Sequence, residues 1–340
     1  MSTLLKGKKS IPELIKDLTY YEEKEGLYNE QIFGFSFWRI IRSNVIDKYL
    51  HREYGIGLRD SLKKRVNIGK LSISVLKSSW QIFKLFTIKY TNIDNIFFAF
   101  PRLQKVNGYY IDKFTDPLIE FSKLKNNYLI FQRPLAGIHK TPRYNSDKII
   151  ITDLIEFVSK VFGVLLIPII QIVYFPILFR TFQKGKKLFN LHLKDFIIFS
   201  YKLSSFYLSY KFYTIILKTL LPKNVFFVSR ELNYPLISAS RKFDITTYEL
   251  QHGVTHTWTV LYSGKYDPNI DPDFFLTFGE IWKGKQFGLP VDKIYNLGWA
   301  YNEMLMNNSH LQGYSGSEVL VISQPGISES IIAATLKLAQ

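Results

Sequence analysis

Short apolar runs recur along the chain from residue 96 onward, and they constrain its fold more than any other feature. The first run, Ile96–Phe100, ends at Pro101, as is typical of a strand buried on both faces of a parallel sheet. Helical patterns separate several of the runs, which predicts an α/β fold with a largely parallel sheet. The other predicted strands are Tyr128–Phe131, Lys148–Thr152, Val225–Ser229, Thr246–Leu250, Asp273–Phe278, Lys293–Leu297 and Glu318–Ser323.

Residues 1–94 have a different pattern, which predicts a basic, helical N-terminal region. Ser10 and Glu13 have the spacing of a capping box, so we expect a helix from Ser10 to about Lys24. A second amphipathic stretch covers residues 31–49. A third covers residues 60–90, where apolar residues recur at helical spacing among many lysines and arginines.

The net charge of +16, from 44 basic and 28 acidic residues, favours an anionic partner: nucleic acid, anionic lipid or a phosphorylated substrate. No zinc-ligand spacing, heptad-linked basic region or ribonucleoprotein signature accompanies the charge, so we do not expect nucleic acid. The absence of cysteine excludes disulfides and thiolate metal sites, and it fits a reducing compartment.

An uncharged segment of 19 residues, Val161–Phe179, lies between Lys160 and Arg180. Its length permits a membrane span, but prolines at 168 and 176 argue against one regular helix. Three alternatives remain: two buried helices broken at the prolines, a segment seated on an anionic membrane surface, and a span. The two membrane alternatives together favour a peripheral or monotopic protein on the cytoplasmic face of the plasma membrane.

Two of the six histidines, His252 and His256, follow the predicted strand Thr246–Leu250. Histidine can take or give a proton near neutral pH, and open α/β sheets bind their ligands outside the carboxyl ends of the strands. His252 is therefore the best candidate for a chemical role. We expect no metal site from the pair, since no third ligand has suitable spacing.

Three segments from this histidine onward form an ordered set: Glu249–Gly253, Asp271–Trp282 and Ile294–Trp299. With the loop at 107–118, they resemble bacterial capsule and surface-polysaccharide glycosyltransferases of the GT-B type. They are also distantly similar to the glycerophosphate polymerases of teichoic acid synthesis. The resemblance covers residues 95–340. It implies two Rossmann-like domains that face each other across a cleft.

The resemblance also implies an activity: transfer of a sugar from a nucleotide-activated donor to a glycan or lipid-linked acceptor, without a metal or other cofactor. His252 would be the base towards the acceptor hydroxyl. Gln251 stands where the glycerophosphate enzymes have tryptophan, and Trp299-Ala300 stands where they have Tyr-Pro. Sugar transfer is therefore preferred over the alternative, a CDP-glycerol-type polyol-phosphate transfer.

Several further residues are candidates for substrate binding. Arg230 could hold a phosphate or form a solvated salt bridge, while Asp112 and Asp116 could orient acceptor hydroxyls or cap turns. Asp271-Pro272-Asp273 imitates a metal motif, but ordinary turn chemistry explains it better. The full set of substrate-binding candidates is Gln251, Gly253, His256, Tyr262, Arg230, Asp112 and Asp116. The donor-phosphate candidates are Ser323, Gln324 and Gly326, before a predicted helix N-terminus.

These features predict three parts: the helical region 1–94, an acceptor-side Rossmann-like domain at 95–310 with an apolar helical insertion at 155–221, and the first strand and helix of a donor-binding domain at 311–340. A complete second domain would need about 100 further residues, so we expect a C-terminally truncated chain. A non-catalytic remnant that binds membrane or glycan is accordingly the alternative from a different class of function.

Overall fold

The computed structural model describes residues 9–55, 68–87, 90, 92–122, 124, 127–134, 138–282, 284–308, 332 and 336. The helices are α1 (Ile11–Lys24), α2 (Phe37–Tyr54), α3 (Ile68–Thr87), α4 (Thr115–Phe121), α5 (Asp153–Leu165), α6 (Ile167–Phe189), α7 (Leu193–Leu220), α8 (Arg230–Ser240) and α9 (Ala300–Asn308). The strands are β1 (Gln31–Ile32), β2 (Phe35–Ser36), β3 (Asn95–Ala99), β4 (Gln104–Val106), β5 (Tyr109–Ile111), β6 (Tyr128–Gln132), β7 (Ile149–Ile151), β8 (Asn224–Val228), β9 (Thr246–Leu250), β10 (Phe274–Thr277) and β11 (Ile294–Asn296).

Seven of these strands form one parallel sheet in the order β11-β10-β9-β8-β3-β6-β7. The chain runs outward from β3 through β6 to β7, returns, and then adds β8 to β11 on the other side. This is the strand order of a Rossmann-like fold, and such sheets bind ligands where the order reverses. Here the reversal lies between β3 and β8. The expected α/β fold with a parallel sheet is confirmed.

The sheet contains seven of the eight predicted strands, and every strand end agrees with its expected position within one residue. All five residues of β3 and of β6 are buried, which explains why these strands appear in the sequence as continuous apolar runs. The eighth predicted strand, Glu318–Ser323, lies outside the described residues.

Helix α1 begins as expected, because the Ser10 backbone N–H donates to Glu13 Oε2 at 2.9 Å in a capping box. The second amphipathic stretch differs from the expectation: β1 and β2 form a short hairpin, and the helix starts only at Phe37. Gly34, with φ +83°, allows the hairpin to turn. The third stretch forms α3, which starts at residue 68.

The helical insertion consists of α5, α6 and α7. Helix α7 packs against α5 and α8, and the approach of α5 is close: a Cβ on Gly163 would lie 3.3 Å from the Ser205 backbone. Among the described helices, none alone has the length and apolar composition of a membrane span. Together α5 and α6 do, but they meet at an angle of 70°. Ile170 and Leu178 are buried while Leu165 and Ile172 are exposed, so burial accounts for only part of this segment.

The chain divides into two compact units, residues 1–301 and 302–340. In the first unit, one large core joins α1, α2 and the sheet, since Leu14, Trp38, Ile96 and Phe131 belong to the same apolar cluster. The second unit contains most of α9. Ser323, Gln324 and Gly326, the donor-phosphate candidates, lie outside the described residues.

Candidate active site

His252 lies two residues beyond β9, at the carboxyl edge of the sheet. Its Nδ1 is 3.4 Å from the hydroxyl of Tyr262, and this hydroxyl donates to Glu249 Oε1 at 3.2 Å. A phenol has one proton. Because the Tyr262 hydroxyl donates this proton in a hydrogen bond to Glu249, the hydroxyl oxygen can only accept a hydrogen bond from Nδ1–H of His252. This pattern leaves Nε2 with its lone pair, the form that can accept a proton.

Glu249 is held in place by Arg230. The Arg230 backbone N–H donates to Glu249 Oε1 at 2.8 Å, and Arg230 Nε donates to Oε2 at 2.6 Å. Arg230 Nη1 also lies 3.6 Å from Asp271, which pairs in turn with Arg39 of α2. These side chains are almost entirely excluded from solvent. Arg230 was expected to hold a phosphate or to form a solvated salt bridge; here it forms buried ion pairs and neutralises the carboxylate behind His252.

Burial lowers the pKa of His252 below its usual 6.5 and is the largest influence on it. The Glu249 carboxylate opposes this shift, while the positive charges of Arg102 and Lys113 reinforce it. The imidazole is therefore neutral at pH 7. A neutral imidazole with a free Nε2 can act as a general base.

An aromatic and cationic edge surrounds this imidazole. The rings of Phe100 and Phe114 have their centroids 5.7 and 6.5 Å from that of His252. Lys113 Nζ lies 5.1 Å from the Phe114 ring centroid and 5.7 Å from that of Trp299. Arg102 lies over Phe100. The edge thus offers ring faces and two cations, which suits an anionic ligand that carries a ring.

Asp112 and Asp116 are both buried beneath this edge. Asp112 accepts hydrogen bonds from the backbone N–H groups of Phe100 at 2.9 Å and Phe114 at 3.2 Å. Asp116 accepts from the Asp112 N–H and from Arg143, both at 2.6 Å. The two carboxylates hold the loop that presents Phe100 and Phe114 to His252. This matches the turn-capping alternative and leaves them no access to an acceptor.

Gln251 and Gly253 shape the turn around His252. Gln251 is fully buried; its amide donates to the Gly253 carbonyl at 2.8 Å, and its Oε1 accepts from the Phe278 N–H at 2.7 Å. Gly253 has a negative φ and open space around its Cβ position, so the turn does not require glycine there. His256 is exposed and stacks on Trp258 at 4.6 Å.

Sequence reasoning missed Glu249, Arg102 and Lys113 as parts of the site. The one available signal was an acidic residue inside the strand Thr246–Leu250, just before the histidine. His139 lies at the same sheet edge, but its ring nitrogens contact Asp153 at 2.7 Å and Gln132 at 3.0 Å. For His252, the described residues provide no hydrogen bond to Nε2.

The described residues contain no group of three or more potential metal-ligating histidines or carboxylates. The aspartates of the metal-like motif are engaged elsewhere: Asp271 by Arg39 and Arg230, and Asp273 by Arg241. Asp273 also accepts from Thr247 at 2.8 Å. Both aspartates therefore hold loops against the sheet.

A groove of about 940 Å³ adjoins the site without including His252. Tyr262 belongs to both, since its hydroxyl faces His252 and its side chain lines the groove. Trp258 and Tyr266 line the groove from the loop after β9, and α1 forms its opposite wall. Such a wall of aromatic and polar side chains is suited to stacking on sugar rings.

Comparison with known protein families, with curated protein sequences and with solved structures gives no match to this chain.

Proposed function

We propose that this chain carries the acceptor-side domain of a GT-B-type glycosyltransferase of bacterial surface-polysaccharide assembly. It would act on a nucleotide-activated sugar and a glycan or lipid-linked acceptor. The observation that carries the proposal is His252: a neutral imidazole at the carboxyl edge of a Rossmann-like sheet, with Nδ1 directed at Tyr262 and Nε2 available. The second, donor-binding domain implied by the sequence resemblance remains part of the proposal.

In the proposed reaction, His252 Nε2 takes the proton of an acceptor hydroxyl as its oxygen attacks the anomeric carbon. The new C–O bond forms while the bond from that carbon to the diphosphate oxygen breaks, and the nucleoside diphosphate leaves with the electron pair. The resulting imidazolium is stabilised through Tyr262 by the buried charge of Glu249. Preorganised charge of this kind acts strongly in a site shielded from water.

Arg102 and Lys113 would stabilise the negative charge of the leaving diphosphate. Both lie close enough to His252 to lower its pKa, so both are near the reacting atoms. Both side chains can bind an anion through charge-assisted hydrogen bonds. The proposed chemistry uses these cations and helix N-termini in the place that a metal ion takes in other transferases.

A polyol-phosphate transferase is the second candidate, and the same two cations favour it. In that reaction His252 would again take the acceptor proton, but the attacked atom would be phosphorus, and a nucleoside monophosphate would leave. Arg102 and Lys113 would then stabilise the phosphoryl group under attack.

The test compares His252→Gln with His51→Gln, a substitution of an exposed histidine of α2 outside the candidate site. Membranes and purified protein would be incubated with a panel of radiolabelled nucleotide sugars and with CDP-glycerol. Removal of a general base typically lowers the rate by about 10²–10⁴-fold, so we expect that loss for His252→Gln and near-normal transfer for His51→Gln.

Three outcomes are informative. Transfer only from CDP-glycerol selects the second candidate. Normal transfer by His252→Gln rejects His252 as the base in either reaction. Absence of both transfer and nucleotide binding in the unmodified chain favours the non-catalytic remnant.

A further inference from the structure

Helix α3 presents apolar side chains on the face opposite the core. Ser78, Ile82 and Leu85 face inward and are buried. On the other side, Ile73 and Leu76 are each 70% exposed, and Trp80 is 58% exposed. A surface helix of a water-soluble protein normally has polar residues at these outward positions. The outer face of α3 is therefore suited to an apolar environment.

A row of lysines runs along one flank of this apolar stripe. Lys70, Lys77 and Lys84 are seven residues apart, a spacing that places them on one side of a helix, and Ile68–Thr87 contains no acidic residue. Lys84 Nζ lies 5.3 Å from the Trp80 ring. A lysine beside an apolar stripe can bury its methylene chain while its ammonium group reaches charged headgroups.

A second apolar surface lies at the bend between α5 and α6. Leu165 is 66% exposed and Ile172 79% exposed, within the uncharged segment 161–179. Lys160 precedes this segment with its side chain in solvent. Helix α3 packs along α5, so the stripe and the bend belong to neighbouring helices. Neighbouring apolar side chains with this degree of exposure are typical of a binding surface.

We propose that the outer face of α3 and the α5–α6 bend form one docking face, which lies in the interface of an anionic lipid bilayer. The uninterrupted positive charge of α3 is complementary to anionic headgroups, and the stripe of Trp80, Phe83 and Leu76 fits the depth of the headgroup–acyl boundary.

The face lies in the membrane interface without crossing the bilayer. Helix α5 has 13 residues, a rise of about 20 Å at about 1.5 Å per residue, against about 30 Å for the hydrocarbon core. Helix α6 has 23 residues but, by itself, lacks the apolar composition of a span. The inner sides of α5 and α6 also pack against the rest of the protein. Ile155 and Gly163 of α5 are buried, as are Ile170 and Leu178 of α6. The proposal of a lipid-docking face does not depend on the reaction proposed at His252.

The experiment measures partition of the full chain onto vesicles by co-sedimentation. Vesicles of phosphatidylcholine alone are compared with vesicles that contain phosphatidylcholine and phosphatidylglycerol, at a series of salt concentrations. The apolar variants are Trp80→Gln/Phe83→Gln on α3 and Leu165→Gln/Ile172→Gln at the bend. Each removes two outward side chains, and we expect each to lower the partition coefficient by at least about tenfold.

The charge variant is Lys70→Gln/Lys77→Gln/Lys84→Gln. At about fivefold per lysine near an anionic surface, it should bind phosphatidylglycerol vesicles about 100-fold more weakly and lose most of the salt dependence. Controls with matched chemistry are Tyr20→Gln and Ile281→Gln, both exposed outside the docking face, and Lys265→Gln/Lys285→Gln. These should bind as the unmodified chain does. Circular dichroism and thermal unfolding establish that every variant is folded.

The proposal is overturned if the unmodified chain does not bind phosphatidylglycerol vesicles, or if both apolar variants bind as well as the controls. Light scattering tests the alternative that the docking face binds a second copy of this chain. If the chain self-associates and the apolar variants abolish this without any vesicle binding, the face docks protein, and the lipid proposal is rejected.

Discussion

Glu249 determines much of the chemistry available to His252. It supplies the carboxylate that orients Tyr262, and its own charge is balanced by Arg230 rather than by solvent. A buried carboxylate without such a partner would gain a proton or destabilise the fold. The histidine therefore works at the end of a charge network that begins in α2, at Arg39.

The protonation of His252 gives the first residue-scale expectation. Because burial and two cations lower its pKa below 6.5, the base is lost only when the pH falls below 6.5, and the acid limb of any transfer reaction lies there. Removing positive charge favours the imidazolium, so Arg102→Gln and Lys113→Gln should each raise the pKa of His252 and move the acid limb to higher pH. NMR titration of the imidazole measures this directly. Lys105→Gln is the control, and an unchanged pKa in both site variants would contradict the assignment.

Tyr262→Phe tests the orientation of the imidazole. The substitution removes the hydroxyl between Glu249 and His252 and leaves the ring, so the fold should persist with a loss of about 1 kcal/mol in the free energy of unfolding. The imidazole should change from the Nδ1–H form to a mixture of tautomers, which ¹⁵N chemical shifts report. Tyr266→Phe, in the adjoining groove, should leave those shifts unchanged. Identical shifts in Tyr262→Phe would refute the hydrogen-bond pattern.

The sequence was informative about His252 but not about the ionic residues around it. The histidine stands at a strand end, which local sequence shows. Burial of Arg230, Asp112 and Asp116 depends on partners that local patterns do not reveal. The pair of Arg39 and Asp271 joins residues 232 positions apart, and no periodicity or motif indicates which distant charges will meet.

At the scale of elements, α1 and α2 are joined by a second buried charge. Glu22 of α1 accepts from the Tyr28 hydroxyl at 2.6 Å and from Arg42 of α2 at 2.9 Å. Arg42 also donates to the Val260 carbonyl at 2.6 Å, in the loop that carries Tyr262. Helices α1 and α2 therefore support the backbone of the loop that carries Tyr262.

Glu22→Gln should be strongly destabilising. It removes the negative charge opposite Arg42 in a buried location, and loss of one partner of such a pair typically costs about 3–5 kcal/mol. Urea unfolding measures the loss. Asp17→Asn, on the same helix, breaks an ion pair with Lys9 that is open to solvent, so its effect should be far smaller. Comparable effects of the two substitutions would show that the buried pair contributes no more than the exposed one.

A strand or helix was predictable from the sequence where a single physical requirement determines its pattern of residues. Burial on both faces makes β3 and β6 continuous apolar runs, so their positions were predicted within one residue. The hairpin at residues 31–36 was missed, because its apolar residues run directly into those of α2, and only Gly34 indicates a turn.

At the scale of the whole molecule, protection from solvent should decrease outward from the centre of the sheet. Strand β3 lies between β8 and β6, and β8 lies between β9 and β3. Edge strand β11 is mostly exposed. Amides in β3 and β8 should therefore exchange with deuterium most slowly and those in β11 much faster, as measured by mass spectrometry. Equal protection of β11 and β3 would mean that β11 is covered in solution.

The place of β3 in the sheet also affects how the protein is made. Asn95 of β3 pairs with Tyr128, 33 residues later, but also with Asn224, 129 residues later. At about 5–20 residues per second, a ribosome needs roughly 6–26 s to synthesise that longer stretch. During this interval the edge of β3 that β8 will cover is open, and the apolar helices α5 and α6 are synthesised before β8 is available to cover that edge. The nascent chain is then most prone to aggregation, and a shorter insertion before β8 would shorten the period of risk.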